Sequence, residues 1–332
     1  MKQAVLLNFT ANTYHWGCYG TSIELWHSLV EYGYYVEMIN VREIHLLEPT
    51  PQNIEDFDHP EFGIALLKSN QRIYHLLLSS DLVFVNGEGT LHGANRGAIN
   101  LLYLMYIAKV NFKKPVHLVN GSFFPSDDGQ PNLQLDELYG LVARKFDCLP
   151  RFINRHGRLN THIFSHTIVV AGGVNLTKEQ AHQFGKALAR MEVSGVRLIF
   201  LTGAKAMVNS EDALIFETIQ SACPSISLVN AQSMTQWLDV ISHCACMVSA
   251  RFHHTLAAIS LGTPCLVFPS NTPKTNASME MLSMQYILDI QNDLDQMVTL
   301  LHQALQKRIS PVDLDHVDIA IKLAAKNFTG LE

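Results

Sequence analysis

Short apolar runs alternate with longer amphipathic segments almost from end to end, and no other feature restricts the fold as strongly. A short apolar run bounded by polar residues suits a strand buried on both faces of a parallel sheet, and the amphipathic stretch after it suits the crossover helix. Strands are expected at 4–9, 35–40, 82–86, 116–120, 167–171 and 196–201, with helices at 22–32, 63–79, 98–110, 133–145 and from Glu211. The fold class is α/β. The rhythm loosens in a polar, Arg-rich stretch between 150 and 162, which divides the chain into two expected α/β domains at 1–160 and 161–332. Each is long enough to bury its own core. Two such domains facing a cleft would bring the carboxyl edges of both sheets to one place, and a helix after Pro311 could pack back across the hinge.

Local signals sharpen the second half. Thr177 and Gln180 have capping-box spacing, and Ser233 with Gln236 repeats it. The helix that Ser233 opens places Trp237, Val240, Ile241 and Cys244 on one face, expected to be core.

Composition excludes several classes. The net charge is -6, and no Lys/Arg cluster offers the basic stripe that a nucleic-acid groove needs. No apolar run approaches the roughly 20 residues that span a bilayer. The N-terminus shows no cleavage pattern, so the expectation is a cytoplasmic protein. Six scattered cysteines, several inside apolar runs, read as reduced core thiols rather than a disulfide framework.

Residues 248–274 carry the strongest chemical signal: strand, polar turn, helix, strand, polar turn. Arg251 and His253 stand where a strand hands over to the helix 256–261, the edge at which open α/β sheets collect ligands. That helix is closed by Gly262, with Pro264 just beyond. Nothing apolar explains the Arg and His, and the position suggests an anion site. A second polar turn, Ser270, Asn271, Thr272 and on to Lys274, follows the next strand.

Residues 81–92 form a buried strand running into a turn that displays Glu88, Thr90 and His92 between glycines. The segment reads equally as a tight turn with a solvated Glu or as a carboxylate and imidazole available for acid/base work. Residues 13–22 hold a Gly-x-x-Gly turn before the first helix. It has neither dinucleotide-fingerprint nor Walker spacing. Trp16 and Tyr19 there suit either stacking on a sugar face or hinge packing. Gly172 and Gly173 could cradle a phosphate or serve ordinary turn chemistry, and Lys205 is a further cation one unit later. His243, Cys244, Cys246, His253 and His254 match no standard zinc spacing, so no metal is expected.

Taken together, residues 87–92, 249–253 and 269–274, preceded by 16–22, resemble the polysaccharide pyruvyl transferase family in order and spacing. Many members carry an aspartate in the first turn, where this chain has Cys18 and Tyr19. The resemblance implies two Rossmann-like domains arranged as in GT-B glycosyltransferases, and transfer of a pyruvyl group from phosphoenolpyruvate onto a sugar of a surface polysaccharide or its precursor as a ketal. It assigns donor binding to Arg251 and Lys274, with Ser270, Asn271, Thr272, Gly172 and Gly173 around them. His253 is the expected acid, Glu88 the facing base and His92 its reserve. Trp16, Gly17, Cys18, Tyr19 and Asn120 would hold the acceptor, a sugar or lipid-linked saccharide. Phosphoenolpyruvate is a co-substrate, and no cofactor is expected. The competing readings are a nucleotide-sugar glycosyltransferase on the same scaffold and a catalytically idle sugar-binding protein.

Overall fold

Most of the continuous apolar runs become buried strands, and the nine strands among the described residues all pair in parallel. The computed structural model describes residues 1–13, 15–93, 95–121, 164–173, 176–204, 211–268, 273–281, 293–306, 318, 321–322 and 324–331. The chain divides into two compact units: Met1–Thr13, Cys18–Ile153 and Ala320–Glu332 form the first, and Tyr14–Gly17 with Asn154–Ile319 the second. The expected boundary near 160 and the expected helix 133–145 lie outside the described residues.

The first unit holds β1 (Lys2–Phe9), β2 (Tyr34–Asn40), β3 (Leu82–Asn86) and β4 (Val116–Val119) in the order β2-β1-β3-β4. Side chains alternate between two cores. Val5, Leu7, Val83 and Val85 enter one, with the helix Arg96–Tyr106, while Ala4, Leu6, Leu82 and Phe84 enter the other. Phe328 and Leu331, near the end of the chain, complete the second core, so the chain does return to its first unit.

The second unit holds β5 (Phe164–Ala171), β6 (Arg197–Leu201), β7 (Ser227–Val229), β8 (Cys244–Ser249) and β9 (Cys265–Val267) in the order β7-β6-β5-β8-β9. Its core joins Ile168, Val170, Phe200 and Val248 to Phe184 and Leu188 of the helix Lys178–Glu192. Thr177 and Gln180 close that helix reciprocally, as their spacing predicts.

Several elements differ from expectation for local reasons. The single helix expected over 63–79 is two, Pro60–Ser69 and Gln71–Ser79, because Asn70 leaves helical geometry and its side chain caps the second by accepting from the Ile73 amide. The helix Met234–His243 buries Trp237, Leu238 and Ile241. Cys244 is not on its face, because the chain turns extended there and starts β8. Gln236 accepts from the Gln232 amide, so the box at Ser233 is half made. The helix expected at 256–261 starts four residues earlier as Phe252–Ser260, and Gly262 follows it with φ 73°.

In both sheets the strand order reverses beside the first strand: between β1 and β3 in one unit, and between β5 and β8 in the other. The carboxyl ends at such reversals are where open α/β sheets bind ligands.

Candidate active site

In the second unit, β5 and β8 pair up to Ala171 and Ser249, and the turns leaving them touch. A Cβ on Gly173 would lie 2.1 Å from that of Ala250, and one on Gly172 would lie 2.9 Å from Asp212 Oδ1. The two glycines therefore serve close packing of the turn against Ala250 and Asp212. The helix that follows begins at Lys178.

Arg251 occupies the N-cap position of the helix Phe252–Ser260, where its own amide donates to Ser249 Oγ at 2.9 Å. Its guanidinium donates to one carboxylate oxygen of Asp212, from Nε at 3.1 Å and Nη2 at 2.6 Å. The other oxygen, Oδ2, accepts from the Gly203 amide at 3.0 Å. The two side chains are 15% and 2% exposed, so the polar turn that carries Arg251 is largely buried at this residue. Burial pushes the Asp212 carboxyl up, but Arg251 and the Gly203 amide outweigh it and hold the group below its ordinary value. Asp212 was missed because it stands 39 residues away, at the second position of the helix Glu211–Ala222.

Gly203 is the hub of this arrangement. Its amide holds Asp212, its carbonyl accepts from the Trp16 amide at 3.1 Å, and Arg251 lies against its α-carbon where a side chain would sit. His15 is paired with Ala204 in an antiparallel bridge. The segment 15–17 is thereby stitched into the second unit, and the ring of His253 packs onto the backbone of Gly17, where an added Cβ would come within 2.0 Å of its Cγ. Gly17 thus acts by yielding space to His253.

The neighbouring His254 has a different role. It is buried, its Nε2 accepts from Trp237 Nε1 at 3.0 Å, and it bonds the Thr202 backbone. Burial, reinforced by Arg251, pushes its pKa down to about 3, which keeps it neutral. The same two causes lower His15, with His253 adding to them and Asp212 opposing.

In the first unit, the ends of β1, β3 and β4 gather a buried polar group. Asn8 and Asn120 adopt left-handed backbone, φ 60° and 55°, which asparagine tolerates better than most side chains. Asn8 Nδ2 donates to the Asn86 carbonyl at 2.6 Å and to Thr90 Oγ1 at 2.9 Å. The Asn86 side chain accepts from the Glu88 amide, and Thr90 Oγ1 donates to the Glu88 carbonyl, so the backbone of Glu88 is held on both sides. Glu88 is 2% exposed, which removes the reading of a solvated turn carboxylate. His92 is half-buried on the same turn, and its carbonyl accepts from Asn95 Nδ2.

Trp16 is 6% exposed, so its ring is packed within the protein and offers no open stacking face, whereas Tyr19 is 39% exposed. Cys18 is half-buried, and its carbonyl accepts from Thr10 Oγ1. Ser270, Asn271, Thr272 and Lys205 lie outside the described residues, as does the side chain of Lys274 in the helix Pro273–Met281. Cys244 and Cys246 are buried along β8, and His243 bonds Asp239. No cluster of metal-ligating side chains occurs among the described residues, and none of their helices is long and apolar enough to cross a membrane.

No curated protein matches the chain in sequence. Among solved structures, the alpha,alpha-trehalose 6-phosphate synthase of Burkholderia multivorans superposes with a TM-score of 0.58 at 11% identity, over 99% of this chain and 98% of that one. The UDP-GlcNAc 2-epimerase of Methanocaldococcus jannaschii gives 0.56 at 9%, over 98% and 99%. The glycotransferase of kitacinnamycin gives 0.53 at 11%, over 98% and 96%. These likenesses carry the fold, two Rossmann-like units of the GT-B kind. Residues 176–272, the stretch that holds Asp212, Trp237, Arg251, His253 and His254, match the polysaccharide pyruvyl transferase family.

Proposed function

We propose that the chain transfers a pyruvyl group from phosphoenolpyruvate to a sugar or lipid-linked saccharide as a ketal. The observation that supports this most is where the family match falls. It spans Arg251 and His253 at the strand-order reversal of the second sheet, where a helix begins. A helix N-terminus and a guanidinium favour an anion, and the planar fork of arginine suits carboxylate or phosphate better than a flexible ammonium would.

Phosphoenolpyruvate bears both anions. Arg251, with Lys274 and residues 270–272, binds it. His253, in its protonated form, donates to the methylene carbon, which makes the adjacent carbon electrophilic. Glu88 accepts a hydroxyl proton from the acceptor, with His92 in reserve, and Tyr19 and Asn120 belong to the acceptor side. Asp212 fixes the guanidinium so that its orientation is set before the ligand arrives.

Calorimetry with phosphoenolpyruvate and, separately, with UDP tests this on the native chain, R251K and H253Q. R251K keeps a positive charge beside Asp212 and loses the fork. Saturable phosphoenolpyruvate binding that weakens at least tenfold in R251K is expected. H253Q should bind the donor and lose about 10²–10⁴-fold in phosphate release once an acceptor is supplied. Binding of UDP with no binding of phosphoenolpyruvate would overturn the proposal in favour of nucleotide-sugar chemistry.

A further inference from the structure

The backbone of the second unit brings to Arg251 a residue more than 230 positions away in sequence. His15 pairs with Ala204, Trp16 donates to the Gly203 carbonyl, and that same Gly203 holds Asp212 and underlies Arg251. Two residues on, the Gly17 backbone carries the ring of His253. His15 and His253 are thus held from two different chain segments around one ion pair.

We propose that His15 carries a proton from the acceptor hydroxyl to the departing phosphate, the role left open by an acid at the methylene carbon. The proposal rests on the pyruvyl-transfer reading. The first acceptor hydroxyl bonds to C2 while C3 takes a proton from His253, the π pair becoming the new C3–H bond. The hydroxyl proton passes to His15. The bond from C2 to the phosphate ester oxygen then breaks with its electron pair on that oxygen, which takes the proton from His15 and leaves as hydrogen phosphate. The second hydroxyl closes the ketal and gives its proton to Glu88; release of that proton and uptake of one by His253 return both groups to their starting states. Two hydroxyl protons are thus accounted for, one on the new methyl group and one on phosphate, and no co-reactant is consumed.

The groups that act on the His15 imidazole suit this cycle. Burial, and next Arg251 at the cap of the helix Phe252–Ser260, disfavour its charged form; Asp212, from the helix Glu211–Ala222, favours it, His253 adds to the disfavouring side, and a hydrogen bond to the Gly203 backbone favours it. A neutral imidazole can accept the hydroxyl proton, and an imidazolium held uncomfortably beside a guanidinium gives that proton up readily.

Imidazole ¹H–¹⁵N spectra of the full chain labelled at histidine, recorded from about pH 4.5 to 8, test the proposal, with His15 identified by the resonance lost in H15Q. Saturating phosphoenolpyruvate, and separately inorganic phosphate, should raise the midpoint of that resonance, because a bound dianion favours the protonated form. H15Q should bind phosphoenolpyruvate within about threefold of the native chain, melt normally, and release phosphate at least 10²-fold more slowly. Donor binding with an unmoved His15 resonance, or full turnover in H15Q, overturns the role of His15 alone. Failure of the native chain to bind either anion overturns the pyruvyl-transfer reading and this inference with it.

Discussion

A guanidinium that donates twice to one buried carboxylate oxygen is a structural element as well as a ligand for anions. Asp212 is 2% exposed, and truncating its partner would leave an uncompensated charge in the second unit. Such a truncation costs about 3–5 kcal/mol, whereas replacing both members by apolar side chains is often neutral. R251A should therefore lower the urea midpoint sharply, and R251M/D212L should regain most of the loss while remaining unable to bind phosphoenolpyruvate. An R251A variant as stable as the native chain would show that the pair contributes nothing to folding. Gly17 allows a second argument at this scale. Its α-carbon faces Cβ and Cγ of His253, the near end of that side chain, so a methyl group cannot be relieved by a small rotation of a distant atom. G17A should cost about 1–3 kcal/mol and displace the imidazole. The histidine resonance belonging to His253 should shift, and phosphate release should fall at least as far as the folded population does.

Elements in the second unit are tied together through His254, which links the helix Met234–His243 by Trp237 and the segment after β6 by Thr202. Its pKa is pushed down from 6.5 to about 3 by burial first and Arg251 next. The sign follows directly. Below pH 6.5 the unfolded chain takes up a proton that the folded chain refuses, so this contribution is complete above that pH and is lost as the pH falls toward about 3. Each unit of pH in that window costs about 1.4 kcal/mol. H254Q keeps an acceptor for Trp237 and does not titrate, so between pH 6.5 and 5 the native chain should lose about 2 kcal/mol more than H254Q in guanidinium unfolding. Equal slopes would mean that another group governs the acid limb. The elements themselves were legible where one signal sufficed. Strand β3 runs from Leu82 to Asn86 as its apolar run predicts, and Thr177 with Gln180 starts a helix as its spacing predicts. The site was half legible. Arg251 and His253 stood out as polar residues in an apolar context, but Asp212, Gly203 and His15 did not. Their role comes from where the topology brings them, and an aspartate near a helix start or a glycine in a turn looks the same with or without a partner. Strand β7 was missed because two of its three residues are exposed and it lacks an apolar run.

The molecule as a whole is two units with separate hydrophobic cores, and the last residues of the chain belong to the first of them. Phe328 is 7% exposed and stacks on Phe84 of β3, with ring centroids 5.7 Å apart, and on Tyr32 at 5.8 Å. A segment more than 240 residues after β3 thus closes one face of the first sheet. Truncating a buried Phe costs about 3–5 kcal/mol, and units with separate cores can open without each other. F328A should therefore raise amide exchange across β1 and β3 while β5 and β8 keep their protection, and F184A should do the reverse, because Phe184 packs only in the core of the second unit. Mass-spectrometric exchange on the two variants reads this directly. Equal loss of protection in all four strands would mean that the chain unfolds as one cooperative body. In that case a mutation in either core would reach Arg251, and activity lost in F328A could no longer be separated from damage to the anion site.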